Sequence, residues 1–363
     1  MCKQFLASIA AILAVSLAMA ATAKPANSCY ESELGPRRPG WTNSGTWTPD
    51  GSELLLIDSL YRAVVRYSPT GRALGTLPAP MSVALKNKFY PSAGKGVGAD
   101  LILEVGDSLL VLDERYNPKS ITNVVGTWGK GKLNMAGLFQ WAPLGSGEVI
   151  GIGDIQGPSE EQYTGAFLRF PLSNPAAPKV LRSFSIKDPE RIFYRTGYPY
   201  AATLGRLGYF LSMENVMSIY ASDESGNLRR LNAFPAELKL APTVPAFKNR
   251  DDFAPLMAAI EKSTMPAGLY AWEGALYVLS RTPFGSQGTR WSLVKIDPMR
   301  DEVTGTSVIP SNADHLTVIP GPREWAFIEK GPVKAWGLQA IPKVLFVPSA
   351  LLRGVLKKNL CGL

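Results

Sequence analysis

Residues 47–77 read WTPDGSELLLIDSLYRAVVRYSPTGRALGTL and contain the clearest structural signal in the chain. Two short apolar runs, at 53–58 and 63–67, are followed by a Ser68-Pro69-Thr70-Gly71 turn and a further run at 72–77. Turn residues also stand before the first run, at 48–51. Short apolar and β-branched runs between Gly, Pro, Asn and Asp are typical of strands joined by tight turns. This stretch therefore predicts one four-stranded antiparallel sheet.

The same order of strands and turns recurs five more times along the chain. The residues predicted to end the second strand of each unit are Asp58, Asp113, Asp154, Glu214, Ser280 and Glu329. Their mean spacing of about 54 residues is slightly longer than a four-stranded propeller blade. Small sheets that stack around an axis bury their faces and protect their edges, which a two-sheet sandwich of this many strands would not do. We expect an all-β fold, a six-bladed β-propeller of four-stranded antiparallel blades.

Residues 47–77 also resemble one NHL-type repeat, through Asp50-Gly51, the strand ending in Asp58, Arg62 and the turn at 68–71. The chain as a whole is similar to secreted six-bladed propellers of the NHL-like and lactonase-like superfamily. The resemblance implies the fold, and it extends to the other five units only in their architecture.

The N-terminus carries an export signal in its composition. Lys3 precedes an apolar run over 5–20, and Ala21-Thr22-Ala23 forms a small-residue cleavage pattern. These features predict a signal peptide at 1–23 and a single mature domain at 24–363. A permanent membrane anchor is the alternative, although the run is shorter than the roughly 20 residues of a span. Lipid attachment at Cys29 is a weaker option.

Cleavage would leave two cysteines, Cys29 and Cys361, near opposite ends of the mature chain. An exported protein meets an oxidising environment, and closure of a ring brings both ends of the chain into one blade. We therefore expect a disulfide between them, with two unpaired thiols as the alternative.

The net charge is +8, from 38 Lys and Arg against 30 Asp and Glu. No run of five or six like charges is present, so a nucleic-acid-binding tail is not indicated. Weak contact with an anionic membrane surface remains open. We expect a monomer whose partner is a small molecule or a protein.

Two segments fall outside the repeats. Residues 235–266 predict a short helical insertion, which would either form a lid over a ligand or simply pack on the propeller. Residues 349–360 combine an apolar stripe with Arg353, Lys357 and Lys358 and predict a basic amphipathic helix. Such a helix would lie on a membrane or pack on its own protein.

Several kinds of catalytic site are missing from the sequence. His315 is the one histidine, so sites with two or more histidine ligands are excluded, and no Gly-x-Ser-x-Gly motif occurs. Gly94-Lys95-Gly96-Val97-Gly98 lacks the spacing of a phosphate-binding loop and is interpreted as a loop before the second blade. We predict no catalytic residue.

The strongest candidate site is a ring of acidic residues at the ends of the predicted second strands. Its members, as potential ligand-binding residues, are Asp58, Asp113, Asp154, Glu214, Asn215 and Glu329. If the alignment of the blades holds, they gather on one face around the axis, where their oxygens would suit Ca²⁺. The resemblance to lactonase-like propellers implies an axial calcium as well. Alternatively, each acid only accepts backbone N–H groups in its own loop.

A second candidate combines aromatic and basic residues before the fourth unit. Arg191, Tyr194, Arg195 and Tyr198 lie within eight positions of one another. Such a patch is suited to stacking a ring and binding an anion, or it is a solvated turn.

Two functions follow from these observations. The first is a non-catalytic ligand- or protein-binding module in the periplasm or outside the cell. The second is a calcium-dependent hydrolase of the lactonase or arylesterase kind. The absence of a suitable histidine base and of further amide ligands disfavours the second.

Overall fold

The computed structural model consists of small antiparallel sheets. It describes residues 28–34, 42–58, 62–77, 91–128, 133–145, 147–156, 163–172, 178–185, 200–212, 217–238, 255, 258–259, 262–284, 288–330 and 343–362. The predicted signal peptide, Glu214, Asn215 and the loop from Arg191 to Tyr198 lie outside these residues.

Blades 1 to 3 occupy the first half of the chain. Blade 1 contains β2 (Thr42–Trp47), β3 (Leu54–Asp58), β4 (Ala63–Tyr67) and β5 (Ala73–Thr76). Blade 2 contains β6 (Pro91–Val97), β7 (Asp100–Val105), β8 (Ser108–Leu112) and β9 (Pro118–Asn123). Blade 3 contains β10 (Gly126–Trp128), β11 (Leu133–Leu144), β12 (Glu148–Gln156), β13 (Tyr163–Pro171) and β14 (Lys179–Ser185). The predicted blades of four antiparallel strands are confirmed, and blade 3 has in addition a fifth strand, β10, beside β11.

Blades 4 to 6 complete the ring. Blade 4 contains β15 (Tyr200–Leu204), β16 (Leu207–Ser212), β17 (Ser218–Ser222) and β18 (Leu228–Arg230). Blade 5 contains β19 (Met265–Trp272), β20 (Ala275–Pro283), β21 (Thr289–Asp297) and β22 (Glu302–Ile309). Blade 6 contains β23 (His315–Ile319), β24 (Glu324–Lys330), β25 (Lys343–Pro348) and, as its outermost strand, β1 (Tyr30–Glu33) from the N-terminus.

The core is divided among the contacts between blades. Each of six clusters of buried apolar side chains joins two neighbouring blades, and the cluster of Trp47, Ile319 and Phe346 joins blade 1 to blade 6. The sheets therefore form a closed ring, and the six-bladed β-propeller predicted from the repeats is confirmed.

The ring is closed by strand and disulfide together. β1 pairs antiparallel with β25, from Tyr30 opposite Phe346 to Glu33 opposite Lys343. Cys29, directly before β1, forms a disulfide with Cys361, as expected from the sequence.

The predicted C-terminal helix is wrong. Only Ser349–Leu352 form a short 3₁₀ helix, since Arg353 is extended and Gly354 has a φ of +63°. The segment then runs along the outer edge of blade 5, where Val308 exchanges backbone hydrogen bonds with Lys358 and Leu360. Leu352, Leu356 and Leu360 are buried there. The segment thus covers an open strand edge.

Little of the predicted helical insertion is described. Ala236–Leu238 form a 3₁₀ turn, Pro255, Ala258 and Ala259 have helical backbone, and β19 already begins at Met265. Among the described residues, no helix has the length and apolarity needed to cross a membrane.

Candidate functional site

The two ends of the ring differ in the turns that they carry. Because each blade is antiparallel, turns between first and second strands and between third and fourth strands lie at one end, which we call the hairpin face. Turns between second and third strands and connections between blades lie at the other end, the link face.

The predicted acidic ring does not hold together as one set. Asp58 and Asp154 are fully buried near the link-face ends of second strands, and Glu329 lies near the end of β24. Ser212 and Ser280 are buried at corresponding strand ends. Among the residues that the structure describes, no three His, Cys, Asp or Glu side chains form a group suited to a metal ion. The calcium site and the hydrolase that depends on it stay predictions.

Asp113 is a correction to that ring. It follows β8, the third strand of blade 2, so it lies on the hairpin face, opposite Asp58. The carboxylate of Asp113 accepts hydrogen bonds from the backbone N–H of Asn117 and Arg115, each at 2.8 Å. The hydrogen bond from the Asn117 backbone N–H has the largest effect and lowers the pKa of Asp113. Burial acts next and raises it, but the net pKa is lowered. Asp113 therefore caps its own hairpin.

The predicted alignment of the blades is wrong at blade 2, because it did not include β6, the first strand of that blade. Residues 94–98, interpreted as a loop, fall mostly within β6. A Cβ on Gly94 would stand 2.7 Å from Ile57 Cδ1, and one on Gly96 would stand 2.9 Å from Thr46 Oγ1. The inner strands crowd near the axis, so small residues replace the apolar pattern that marks a strand elsewhere.

A cavity lined by described residues opens on the hairpin face between blades 1 and 2. We call this cavity, of about 480 Å³, the groove. Leu55 and Leu101, which are buried, form its apolar base. The groove is bounded by the β2–β3 turn of blade 1, the β6–β7 turn of blade 2 and the β8–β9 hairpin of blade 2.

On the blade 1 side, the acidic groups of the groove are ordered by local contacts. Asp50 Oδ1 accepts hydrogen bonds from the Ser52 N–H at 3.0 Å, the Thr48 hydroxyl at 2.7 Å and the Ser52 hydroxyl at 2.8 Å. These bonds, led by that of the Ser52 N–H, lower the pKa of Asp50 to about 2. Glu53 is joined to Arg66 by paired hydrogen bonds, one of them 2.7 Å from Nε to Oε2.

On the blade 2 side, Tyr116 enters the groove from the β8–β9 hairpin. Its φ is +63°, a conformation that is uncommon outside glycine. Gly71 of blade 1 and Gly226 of blade 4 occupy the same hairpin position, because all three N–H groups donate to the residue three positions before. The Tyr116 ring packs against the apolar cluster between blades 1 and 2. Burial, and next the charge of Glu53, raise the pKa of Tyr116.

Sequence reasoning missed the groove because no motif marks it. Its side chains come from turns of two blades, about 50 to 70 residues apart in the chain. The available signal was Tyr116 itself, at a hairpin position where a sister repeat has glycine.

Comparison with known proteins supports the fold alone. No family model and no curated protein matches the chain. A solved member of the DUF4221 family from Bacteroides vulgatus is similar to the chain at 11% identity and a TM-score of 0.59, over 89% of this chain and 96% of that one. The calcium-binding protein regucalcin from Agrobacterium tumefaciens is similar at 12% identity and a TM-score of 0.47, over 92% and 98%. A luciferin-regenerating enzyme is similar at 13% identity and a TM-score of 0.48, over 91% and 99%.

Proposed function

We propose that the chain is an exported, non-catalytic binding propeller and that its ligand occupies the groove between blades 1 and 2. The volume of about 480 Å³ falls within the range of small-ligand sites, roughly 300–1,000 Å³. Apolar residues at the base and polar groups at the mouth are the usual arrangement of such sites. The Cys29–Cys361 disulfide supports an oxidising compartment, periplasmic or extracellular.

The state of Asp50 supports binding over catalysis. The hydroxyls of Thr48 and Ser52 both donate to this carboxylate, in the way that a nucleophile contacts its base. A carboxyl group with a pKa of about 2 is a poor base near neutral pH, because efficient bases have pKa values close to the working pH. Neither hydroxyl is therefore activated as a nucleophile.

A variant that fills the groove tests the proposal. Ala99 lies in the exposed β6–β7 turn and lines the groove, so Ala99→Trp should block it without removing any charged group. Arg206→Trp is the matched control, since Gly205-Arg206 forms the corresponding turn of blade 4, with a φ of +61° at Gly205 against +57° at Gly98.

A ligand-observed NMR screen with a mixed fragment library provides the measurement. We expect fragments to bind the wild type and Arg206→Trp but not Ala99→Trp, with all three proteins giving the same circular dichroism spectrum. Fragment binding that survives in Ala99→Trp, or is absent from the wild type, would contradict the proposal.

A further inference from the structure

The groove is acidic although the chain as a whole is basic. Asp50, Glu53, Asp100 and Glu114 line it, and Arg66 is the one positively charged lining residue within the described part of the chain. The whole chain carries a net charge of +8. The acidic lining is therefore a local property of this cavity, and a site lined by one sign of charge concentrates ligands of the other sign.

Two of these four carboxylates already have cationic partners. Glu53 is bound by Arg66, and Asp100 accepts a hydrogen bond from Lys119 Nζ at 2.8 Å. The Lys119–Asp100 pair is half-exposed and so contributes little to stability.

The other two have no cationic partner among the described residues. The described donors to the Asp50 carboxylate are all neutral groups of Thr48 and Ser52, which hold this carboxylate in place without adding a positive charge. Glu114 is exposed and makes no hydrogen bond or ion pair with any described residue. These two acids belong to different blades, and each stands on a turn that bounds the groove.

Tyr116 adds an aromatic surface two residues after Glu114. Its ring lines the groove, and its hydroxyl makes no hydrogen bond with a described residue. An aromatic ring face attracts a cation, and a carboxylate nearby attracts it further. An anionic ligand would have to approach Asp50 and Glu114 against like charge.

From the cavity, its charge and its ring together, we infer that the groove binds an organic cation, an alkylammonium or guanidinium group, with Asp50 and Glu114 as its counter-charges and Tyr116 as its aromatic surface. This inference rests on the proposed function and adds the chemical class of the ligand.

Calorimetric titration tests the inference with two sources of the same group. Spermidine represents a free amine, and end-blocked pentalysine represents basic side chains of a peptide, while end-blocked pentaglutamine is the neutral control. We expect at least one cationic probe to bind, more weakly as salt rises. Glu114→Gln and Asp50→Asn should each weaken binding about threefold to tenfold.

The chain provides a matched control in blade 4. Glu224 follows Asp223 in a hairpin with the same backbone hydrogen bonds as the Asp113-Glu114 hairpin, and it lies outside the groove, so Glu224→Gln should leave binding unchanged. Binding of spermidine alone identifies a free amine, and binding of pentalysine identifies a basic peptide segment.

The outcomes separate the two proposals. If neither cation binds while fragments occupy the groove of the wild type and not that of Ala99→Trp, the cationic class is wrong and the binding site stands. If the cations bind equally to the wild type, Glu114→Gln and Asp50→Asn, the assignment of these two acids is overturned.

Discussion

Tyr116 has a left-handed backbone conformation, which residues with a side chain disfavour. A left-handed conformation costs an L-residue about 1–2 kcal/mol relative to glycine, and blades 1 and 4 have glycine at this position. Strained residues of this kind concentrate at binding sites, where surrounding contacts hold them. The strain therefore supports a role for the ring in the groove.

An alanine variant is usually more stable than a glycine variant at the same position, and at Tyr116 this order of stability should be reversed. Both variants lose the packing of the Tyr116 ring, but only Tyr116→Ala keeps the strain. We expect the free energy of unfolding of Tyr116→Gly to exceed that of Tyr116→Ala by about 1 kcal/mol, as measured with urea. At Arg115, which has negative φ, glycine should be the less stable variant. The same order at both positions would show that Tyr116 is not strained.

At the scale of elements, the β21–β22 hairpin of blade 5 joins two blades through one carboxylate. Asp301 accepts hydrogen bonds from the N–H groups of Asn232 and Ala233, at 2.8 and 2.9 Å, in the segment after β18. Burial raises the pKa of Asp301, but these hydrogen bonds outweigh burial and the net pKa is lowered. The contact is therefore strongest with the carboxylate ionised.

Asp301→Gly should lower the free energy of unfolding by about 1–3 kcal/mol, because two backbone donors lose their acceptor. Glycine suits the φ of +58° at this position, so strain does not account for the loss. Since the folded pKa is depressed, the contribution is present above the ordinary pKa near 4 and is lost as the pH falls. Urea denaturation should show that the difference in free energy of unfolding between wild type and variant becomes smaller from pH 7 to pH 3. If this difference stays constant, the charge of Asp301 is excluded as its cause.

How well the sequence predicts a strand depends on the distance of that strand from the propeller axis. The strands of blade 1 can be recognised in the sequence because Leu54–Ile57 and Ala63–Val65 are apolar and pack against neighbouring blades. β6 has no apolar pattern, because Gly94 and Gly96 stand where a Cβ would come within 3.0 Å of side chains of blade 1. Because β6 was not predicted, Asp113 was assigned to the wrong face of the propeller. The groove is formed by turns of two blades, so no local sequence pattern marks it.

At the scale of the whole molecule, the ring depends on both chain ends. The disulfide links residues 332 positions apart, and the N-terminal strand β1 completes blade 6. A cross-link over so long a loop removes much conformational freedom from the unfolded chain. It also holds in place a strand of only four residues, Tyr30–Glu33.

The double variant Cys29→Ser, Cys361→Ser should lose about 3–5 kcal/mol of free energy of unfolding. We expect amide exchange in β1 to accelerate first, before exchange in blades 2 to 4, because β1 has a partner strand on one side only. Hydrogen exchange followed by mass spectrometry measures both effects. Uniform acceleration around the ring would indicate that the disulfide does not act by holding β1.

The pairing of β1 with β25 also constrains synthesis. Residues 30–33 are synthesised about 310 residues before their partner strand, Lys343–Pro348. Blades 1 to 5 can assemble as an open arc during translation, but blade 6 can form only after β25 has been synthesised. Moving the segment 28–34 to a position after residue 362 would create a circular permutant in which all strands of blade 6 are contiguous in sequence. Such a chain would close its ring without a strand from its N-terminal part.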